Sequence, residues 1–294
     1  MIFINPKTDY AFTKIFGSAQ SKNILISFLN GWVYEGNSTI EDLEIIKPNL
    51  PPQLEGLKDT YLDVKAHLND GTLVIIQIQV LNVQFSGKRV LFNAAKNYAF
   101  QLERRRQAYR DLKPVIALTL TDFDMFPGQN QLISRFVYRE KSEGWYYPDN
   151  GMELVFVELP KFTKELNELE TLTDKWIYFM KFAWSLTSIP ENMDDIAELN
   201  QAFEIANQAG LTLEELEELD RREMFIYDQQ GAIALGLQQG RQQGLEERRQ
   251  QGIEQAKRET ARNLLGQLND EAIAQATGLS LEEIATLREE RFSD

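Results

Sequence analysis

The sequence predicts an α/β domain followed by a helical extension, on three observations. The stretch "TYLDVKAHLNDGTLVIIQIQV" (60–80) alternates apolar and polar residues on both sides of a tight turn, which is strand patterning. "PVIALTLTDF" (114–123) is a short apolar run of the kind a strand buried on both faces requires. From about Phe162 onward the pattern turns helical and acidic.

The elements follow in order. Asn5-Pro6-Lys7-Thr8 reads as a loop ending in a helix N-cap. It leads into a helix with Tyr10, Phe12, Ile15 and Phe16 as its apolar stripe and Gly17 as its stop. "SKNILISFLNGWV" is a second helix, capped by Ser21, and "IEDLEIIKPN" is a strand entering a Pro-bounded loop. Residues 86–109 are expected to form one helix, with Leu91, Ala95, Tyr98 and Leu102 toward the core. "SRFVYREK" and "MELVFVELPKF" are further strands. The helical region is expected to draw its core from Trp176, Ile177, Phe179, Met180, Phe182, Ala183 and Trp184.

Two C-terminal segments stand apart. Gly236, Gly240 and Gly244 recur every four residues along one helix face, and Gly252 follows. Each glycine costs about 1 kcal/mol relative to alanine in a helix, so close approach of another helix is a natural compensation. A frayed low-complexity tail is the alternative. The last segment, "LNDEAIAQATGLSLEEIATLREE", reads as helix, turn, helix, with Ala274, Gly278 and Ile284 at the small, turn and core positions. Its second helix carries Glu282, Glu283, Glu289 and Glu290 where a reader of base edges needs Arg, Lys, Asn or Gln, so a packing module is favoured over a DNA reader.

Composition excludes several chemistries. There are no cysteines, which removes disulfides and thiolates, and a single histidine removes a multi-histidine zinc site. No apolar run approaches the roughly 18 residues of a membrane span, and "MIFINPKTDY" lacks the form of a signal peptide, so no membrane association and a cytoplasmic location are expected. The net charge of −14 is unevenly distributed. Residues 165–225 hold fifteen acidic and four basic side chains. Residues 84–113 hold eight basic ones (Lys88, Arg89, Lys96, Arg104, Arg105, Arg106, Arg110, Lys113) against Glu103 and Asp111. Because salt screens charge beyond about 8–10 Å, a locally basic segment can hold phosphates on an acidic protein. A solvated helix face is the bland alternative.

The hairpin raises a question of chemistry. With Asn69, Asp70 and Gly71 as a three-residue loop and Gly71 left-handed, Leu68 pairs with Thr72 and Asp63 lies opposite Gln77. This register puts Leu62, Val64 and Ala66 opposite Ile78, Ile76 and Val74 on one face. It groups Asp63, Lys65, Gln77 and Gln79 on the other. A polar outer face of a surface hairpin is the structural alternative.

"INPKTDYAFTKIFGSAQSKNILISFLN", "LKDTYLDVKAHLNDGTLVIIQIQV" and "PVIALTLTDFDMFP", in that order, resemble the recombination-promoting nuclease (Rpn)/putative transposase family of the PD-(D/E)XK nuclease superfamily. The resemblance is close over roughly residues 1–160. It implies a restriction-endonuclease-like mixed sheet flanked by helices, followed here by an all-α extension, and metal-dependent hydrolysis of DNA phosphodiesters. The division it suggests is 1–162 nuclease-like, 163–228 an acidic helical region packed on it, 229–262 a glycine-periodic helix, and 263–294 a helix-turn-helix-like tail. Carried over by position, Asp63 matches the metal-binding Asp, Gln77 the Glu position, and Gln79 the Lys/Gln that orients the attacking water or the scissile phosphate. Asp9, on the first helix, is the nearest candidate for an assisting carboxylate. Hard oxygen ligands of this kind suit Mg²⁺ or Mn²⁺. Lys65 and the basic residues Lys88, Arg89, Lys96, Arg104, Arg105 and Arg106 would hold the DNA backbone.

One departure matters. The motif reads Q-I-Q, so one carboxylate stands where two are expected. The chain is then a weakened or inactive nuclease, or another carboxylate such as Asp59 or Asp9 reaches the site, or the substitution was introduced to disable cleavage. A non-catalytic DNA-binding or assembly protein that keeps the fold is the competing reading, and self-association through the C-terminal helices is expected.

Overall fold

The computed structural model describes residues 2–46, 63–81, 86–102 and 108–291. The expected Asp59 and Arg104–Arg106 contributions therefore lie outside the described residues. The chain divides into two compact units, Met1–Tyr227 and Asp228–Asp294.

The first unit opens with α1 (Asp9–Phe16) and α2 (Lys22–Val33). Thr8 caps α1 as the sequence indicates, its hydroxyl accepting from the Ala11 amide. Ser21 stands at the α2 N-cap position but its side chain caps nothing and bonds Ser18 instead, at 2.7 Å. Then come β1 (Leu43–Ile46), β2 (Val64–Leu68), β3 (Leu73–Gln79), α3 (Ser86–Ala99), β4 (Val115–Thr121), β5 (Ile133–Phe136) and β6 (Met152–Glu158). They make one six-stranded mixed sheet in the order β1-β2-β3-β4-β6-β5. β3, β4 and β6 run parallel, while β1, β2 and β5 join antiparallel.

The hairpin register matches expectation, with Val64 opposite Ile76 and Ala66 opposite Val74. Gly71 adopts φ +86°, and the Leu68 amide donates to the Thr72 carbonyl at 2.8 Å. The face carrying Val64, Ala66, Val74, Ile76, Leu118 and Val157 packs with α1, α2, α4 (Leu172–Phe182) and α5 (Ala197–Ala206) in one core. Trp176 on α4 lies against Phe16 and Phe28, tying the acidic helices to the first two. Trp184 is an exception to the expected core, since it falls just past α4 and is half exposed.

The other face is not a solvated surface. A parallel β3–β4 pair needs a crossover, and α3 supplies it by lying over Leu73, Ile75, Val115, Ala117 and Phe156. The helix ends at Ala99 rather than near residue 109, and its inward face differs from the expected one. Val90, Asn93, Ala94 and Asn97 are buried, whereas Leu91 and Ala95 are exposed and Tyr98 and Leu102 only partly covered. Spacing of 90, 93, 94 and 97 is a proper helical stripe. Two asparagines within it hide the stripe from a reading based on hydrophobicity.

The long helix α6 (Leu213–Leu264) begins in the first unit, where Leu219 joins the core. Its first turns are clamped to α1: Glu215 accepts from Tyr10 Oη at 2.9 Å and pairs with Lys14, and Arg222 pairs with Asp9. In the second unit, α7 (Asp270–Thr277) and α8 (Leu281–Arg291) close a small core of Ala261, Leu265, Ile273, Leu279, Ile284 and Leu287 with the end of α6. Gly278, at φ +71°, ends α7 in the left-handed conformation expected at the turn. No helix among the described residues is long and apolar enough to cross a membrane.

The α1–α6 clamp has a pH signature. Glu215 is held down to about 2, by the Lys14 ammonium first and then by the Thr212 amide and the Tyr10 hydroxyl. A folded value below the unfolded one stabilises at pH above about 4.5, and that contribution disappears as pH falls toward 2. Glu215→Gln should therefore melt below wild type at neutral pH, with the gap closing on acidification. A gap that stays constant from about pH 7 to pH 3 would remove Glu215 from the account.

Candidate functional site

β3 is buried on both faces, and its second half carries polar residues inward. Gln77 and Gln79 are 6% and 4% exposed. They lie beside Thr119 and Thr121 of β4 in the parallel register, and both threonines are buried too. α3 brings Asn93 and Asn97 to the same layer. The strand pair, the crossover helix and the next strand thus enclose one polar stripe.

Asp63 stands at the entry to β2. Its amide donates to the Ile76 carbonyl at 3.0 Å, and its Oδ2 accepts from the Ile78 amide at 2.6 Å. Its carbonyl oxygen accepts from Thr13 Oγ1 of α1 at 3.3 Å. The carboxyl is pushed up to about 7, by burial above all. The negative charge of Asp9 adds to this rise, while the Ile78 amide and the guanidinium groups of Arg89 and Arg222 oppose it. Asp63 therefore belongs to a small electrostatic group with Asp9, Arg89 and Arg222.

Lys65 points into the same layer and donates from Nζ to Asn97 Oδ1 at 2.9 Å; burial holds its ammonium below the usual lysine range. Asn97 Nδ2 donates in turn to the Asn93 carbonyl at 2.9 Å. Both amide atoms of Gln79, both of Asn93 and the Thr119 hydroxyl are buried without a hydrogen-bond partner. Burying such groups unpaired costs about 1–3 kcal/mol each, so this layer carries a concentration of unmet hydrogen-bonding capacity.

The remaining candidates divide. Asp9, at the first position of α1, accepts from the Tyr10 amide at 2.8 Å and forms an ion pair with Arg222. Lys88 and Arg89 are exposed on α3, whereas Lys96 is buried with its ammonium 5.5 Å above the Phe100 ring. Glu158, at the carboxyl end of β6, is wholly buried but fully engaged by the Met125 and Phe126 amides and by Lys161 at 2.6 Å, so it is no free ligand. Asn93, Asn97 and Arg222 were missed by sequence reasoning. The asparagines had a signal in the 90–93–94–97 stripe; Arg222 had none in its own neighbourhood.

Tested against a hard divalent cation, the donor set fits in kind. Asp63 offers a carboxylate, and Gln79 Oε1 is an unpartnered amide oxygen on the neighbouring strand β3. Mg²⁺ is commonly held by one or two carboxylates with waters filling the rest. The set is short of charge, however: among the described residues no three histidine, aspartate or glutamate side chains gather into a metal-holding group.

An aspartate entering one strand, a spaced polar pair on the neighbouring strand and a crossover helix over both define a nuclease-type α/β fold of the PD-(D/E)XK class. The family of PD-(D/E)XK nuclease family transposases matches residues 6–236, and the chain belongs to it. The match runs past Arg222, well beyond the sheet. No curated protein and no solved structure matches the chain.

The unpartnered amide of Gln79 yields a stability test. Gln79→Met replaces a buried orphan by an apolar chain of similar size, which is expected to leave stability unchanged or raise it by about 1 kcal/mol. Urea unfolding measures this; a loss of about 2 kcal/mol or more would mean that the amide has partners in the fold.

Proposed function

We propose that the chain is a metal-dependent DNA endonuclease of the transposase-like type, weakened by glutamine at position 77. The observation that carries this reading is the partly buried carboxylate of Asp63 bonded to the Ile78 amide between Gln77 and Gln79, with the Gln79 amide left unpartnered. Asp63 would ligate Mg²⁺ or Mn²⁺, with the amide oxygen of Gln77 beside it and Asp9 as a further carboxylate. A bound ion of this kind polarises the phosphate and makes hydroxide available from water. Gln79 would orient the attacking water or the scissile phosphate through its amide. Lys65, already desolvated and directed by Asn97, would add positive charge behind the phosphate. Lys88 and Arg89 present exposed cations on α3 for the DNA backbone; buried Lys96 drops out of that role, and Arg104–Arg106 would complete the basic segment.

Gln77 also favours a second reading, a DNA-binding or assembly protein that retains the nuclease fold without cleaving. An amide brings an oxygen but no charge, and attraction to a divalent ion scales with charge. Plasmid nicking with Mg²⁺ or Mn²⁺ separates the two. Gln77→Glu should raise cleavage roughly 10- to 100-fold, and Asp63→Ala should abolish whatever wild type shows. If Asp63→Ala cuts as well as wild type, the assignment of the site is wrong. If Gln77→Glu remains inert while DNA is still bound, the non-catalytic reading takes over.

Self-association through α6 belongs to the same proposal. Open space surrounds Gly236, Gly240 and Gly244, and Ile233 and Leu237 are exposed on the same helix. By light scattering, a chain ending at Tyr227 should have the mass of a monomer and the full chain that of an oligomer. Monomeric mass for both would count against it.

A further inference from the structure

We propose that Arg222 keeps Asp9 from acting as a metal ligand until a DNA phosphate takes the guanidinium, so that substrate binding completes the cation site. This rests on the reading of Asp63 as a metal ligand. With glutamine at position 77, Asp63 is the one stripe carboxylate among the described residues not already tied up, since Glu158 beside Thr121 is held by two amides and Lys161. The Gln79 amide is buried without a partner. A second charge has to come from outside the sheet.

Thr13 Oγ1 of α1 donates to the Asp63 carbonyl oxygen, and Asp9 stands one helical turn before Thr13 on the same side of α1. Both Asp9 oxygens are engaged: Oδ1 accepts from the Tyr10 amide, and Oδ2 pairs with Arg222. The arginine is not loosely held. Glu218, one turn earlier on α6, takes its Nε at 2.6 Å. Tyr10 and Lys14 of α1 fix the same helix through Glu215. The side chain nevertheless remains 37% exposed, within reach of a ligand arriving from solvent.

Those two properties make a competition. An ion pair open to water is weak, because solvent and salt screen it. A guanidinium fork binds phosphate with two parallel hydrogen bonds, which an exposed carboxylate contact does not better. A backbone phosphate at the mouth of the site would draw Arg222 from Asp9 and leave a carboxylate facing Asp63. Arg222 then neutralises phosphate charge, and Asp9 adds the charge that glutamine at position 77 lacks. Linkage requires the effect to be mutual: DNA tightens cation binding, and cation tightens DNA binding by the same factor.

The test is Mn²⁺ binding by the full chain, read by electron paramagnetic resonance of the free ion, without DNA and with a short duplex whose own Mn²⁺ uptake is subtracted. Wild type should bind Mn²⁺ about fivefold or more tightly when duplex is present. Arg222→Ala should show that gain without duplex, and duplex should add little further. Asp9→Asn, alone or combined with Arg222→Ala, should show no gain. Should Arg222→Ala unfold, Arg222→Gln gives the same comparison with more of the side chain retained. Unchanged or weaker Mn²⁺ binding on loss of the guanidinium overturns the proposal, as does a gain that survives in the double variant. Asp63→Asn in the Arg222→Ala background separates the two levels. Loss of Mn²⁺ binding there upholds the site, so that an inert Arg222→Ala overturns the gate alone; undiminished binding overturns both.

Discussion

Burial of both faces of β3 is the constraint on which the rest of the molecule turns. The strand is antiparallel to β2 and parallel to β4. A parallel neighbour can be reached only by a crossover, and the crossover helix lands on the face that carries Leu73 and Ile75. Alternation along the strand then carries Gln77 and Gln79 into the same interior. An isolated hairpin would leave these amides in water, and the sheet as built removes them from it. Packing alone would favour aliphatic residues there, because buried amides without partners oppose folding. The Gln79 amide, with Asn93 and Thr119 equally unpartnered, is a local conflict between stability and something else the layer does.

That conflict is electrostatic as well as geometric. Desolvation drives Asp63 toward its neutral form and Lys65 toward its own neutral form, so both charges resist the environment that holds them. Glu158 shows the contrasting case on the same sheet. It is wholly buried yet satisfied by two amides and a lysine, the way a structural carboxylate is accommodated. Asp63 has a single amide on Oδ2, and the charges that act on it sit on α1, α3 and α6. A residue left so incompletely compensated fits a group that meets a ligand better than one that only holds the fold together.

Much of this was legible in the sequence, and the limits have physical causes. The hairpin register followed from Gly71 and from two strands whose apolar residues agree on one face. α1, β4 and β6 followed from caps and apolar runs. The inward face of α3 did not, because Asn93 and Asn97 occupy two of the four positions in its 90–93–94–97 stripe and hydrophobic periodicity has no means of seeing a buried amide. Arg222 was invisible for another reason. Its position beside Asp9 depends on α6 folding back to α1 through Glu215, a contact between segments far apart in the chain. Local patterns carry register and period but not the meeting of distant helices.

The meeting of α6 with α1 also bears on where the functional unit ends. Trp176 of α4 is buried between Phe16, Phe28 and Phe179, and Phe203 of α5 closes against Phe3. The first helices therefore complete their core with residues that follow the sheet in sequence. Arg222 extends the same dependence from the core to the site, since the charge beside Asp63 is set partly by a residue on α6. The family match reaching residue 236 spans all of these contributions. A sheet and its motif are thus an incomplete description of this site: the carboxylate is supplied by β2, the amides by β3, the covering layer by α3, and the counter-charge by the start of the long helix.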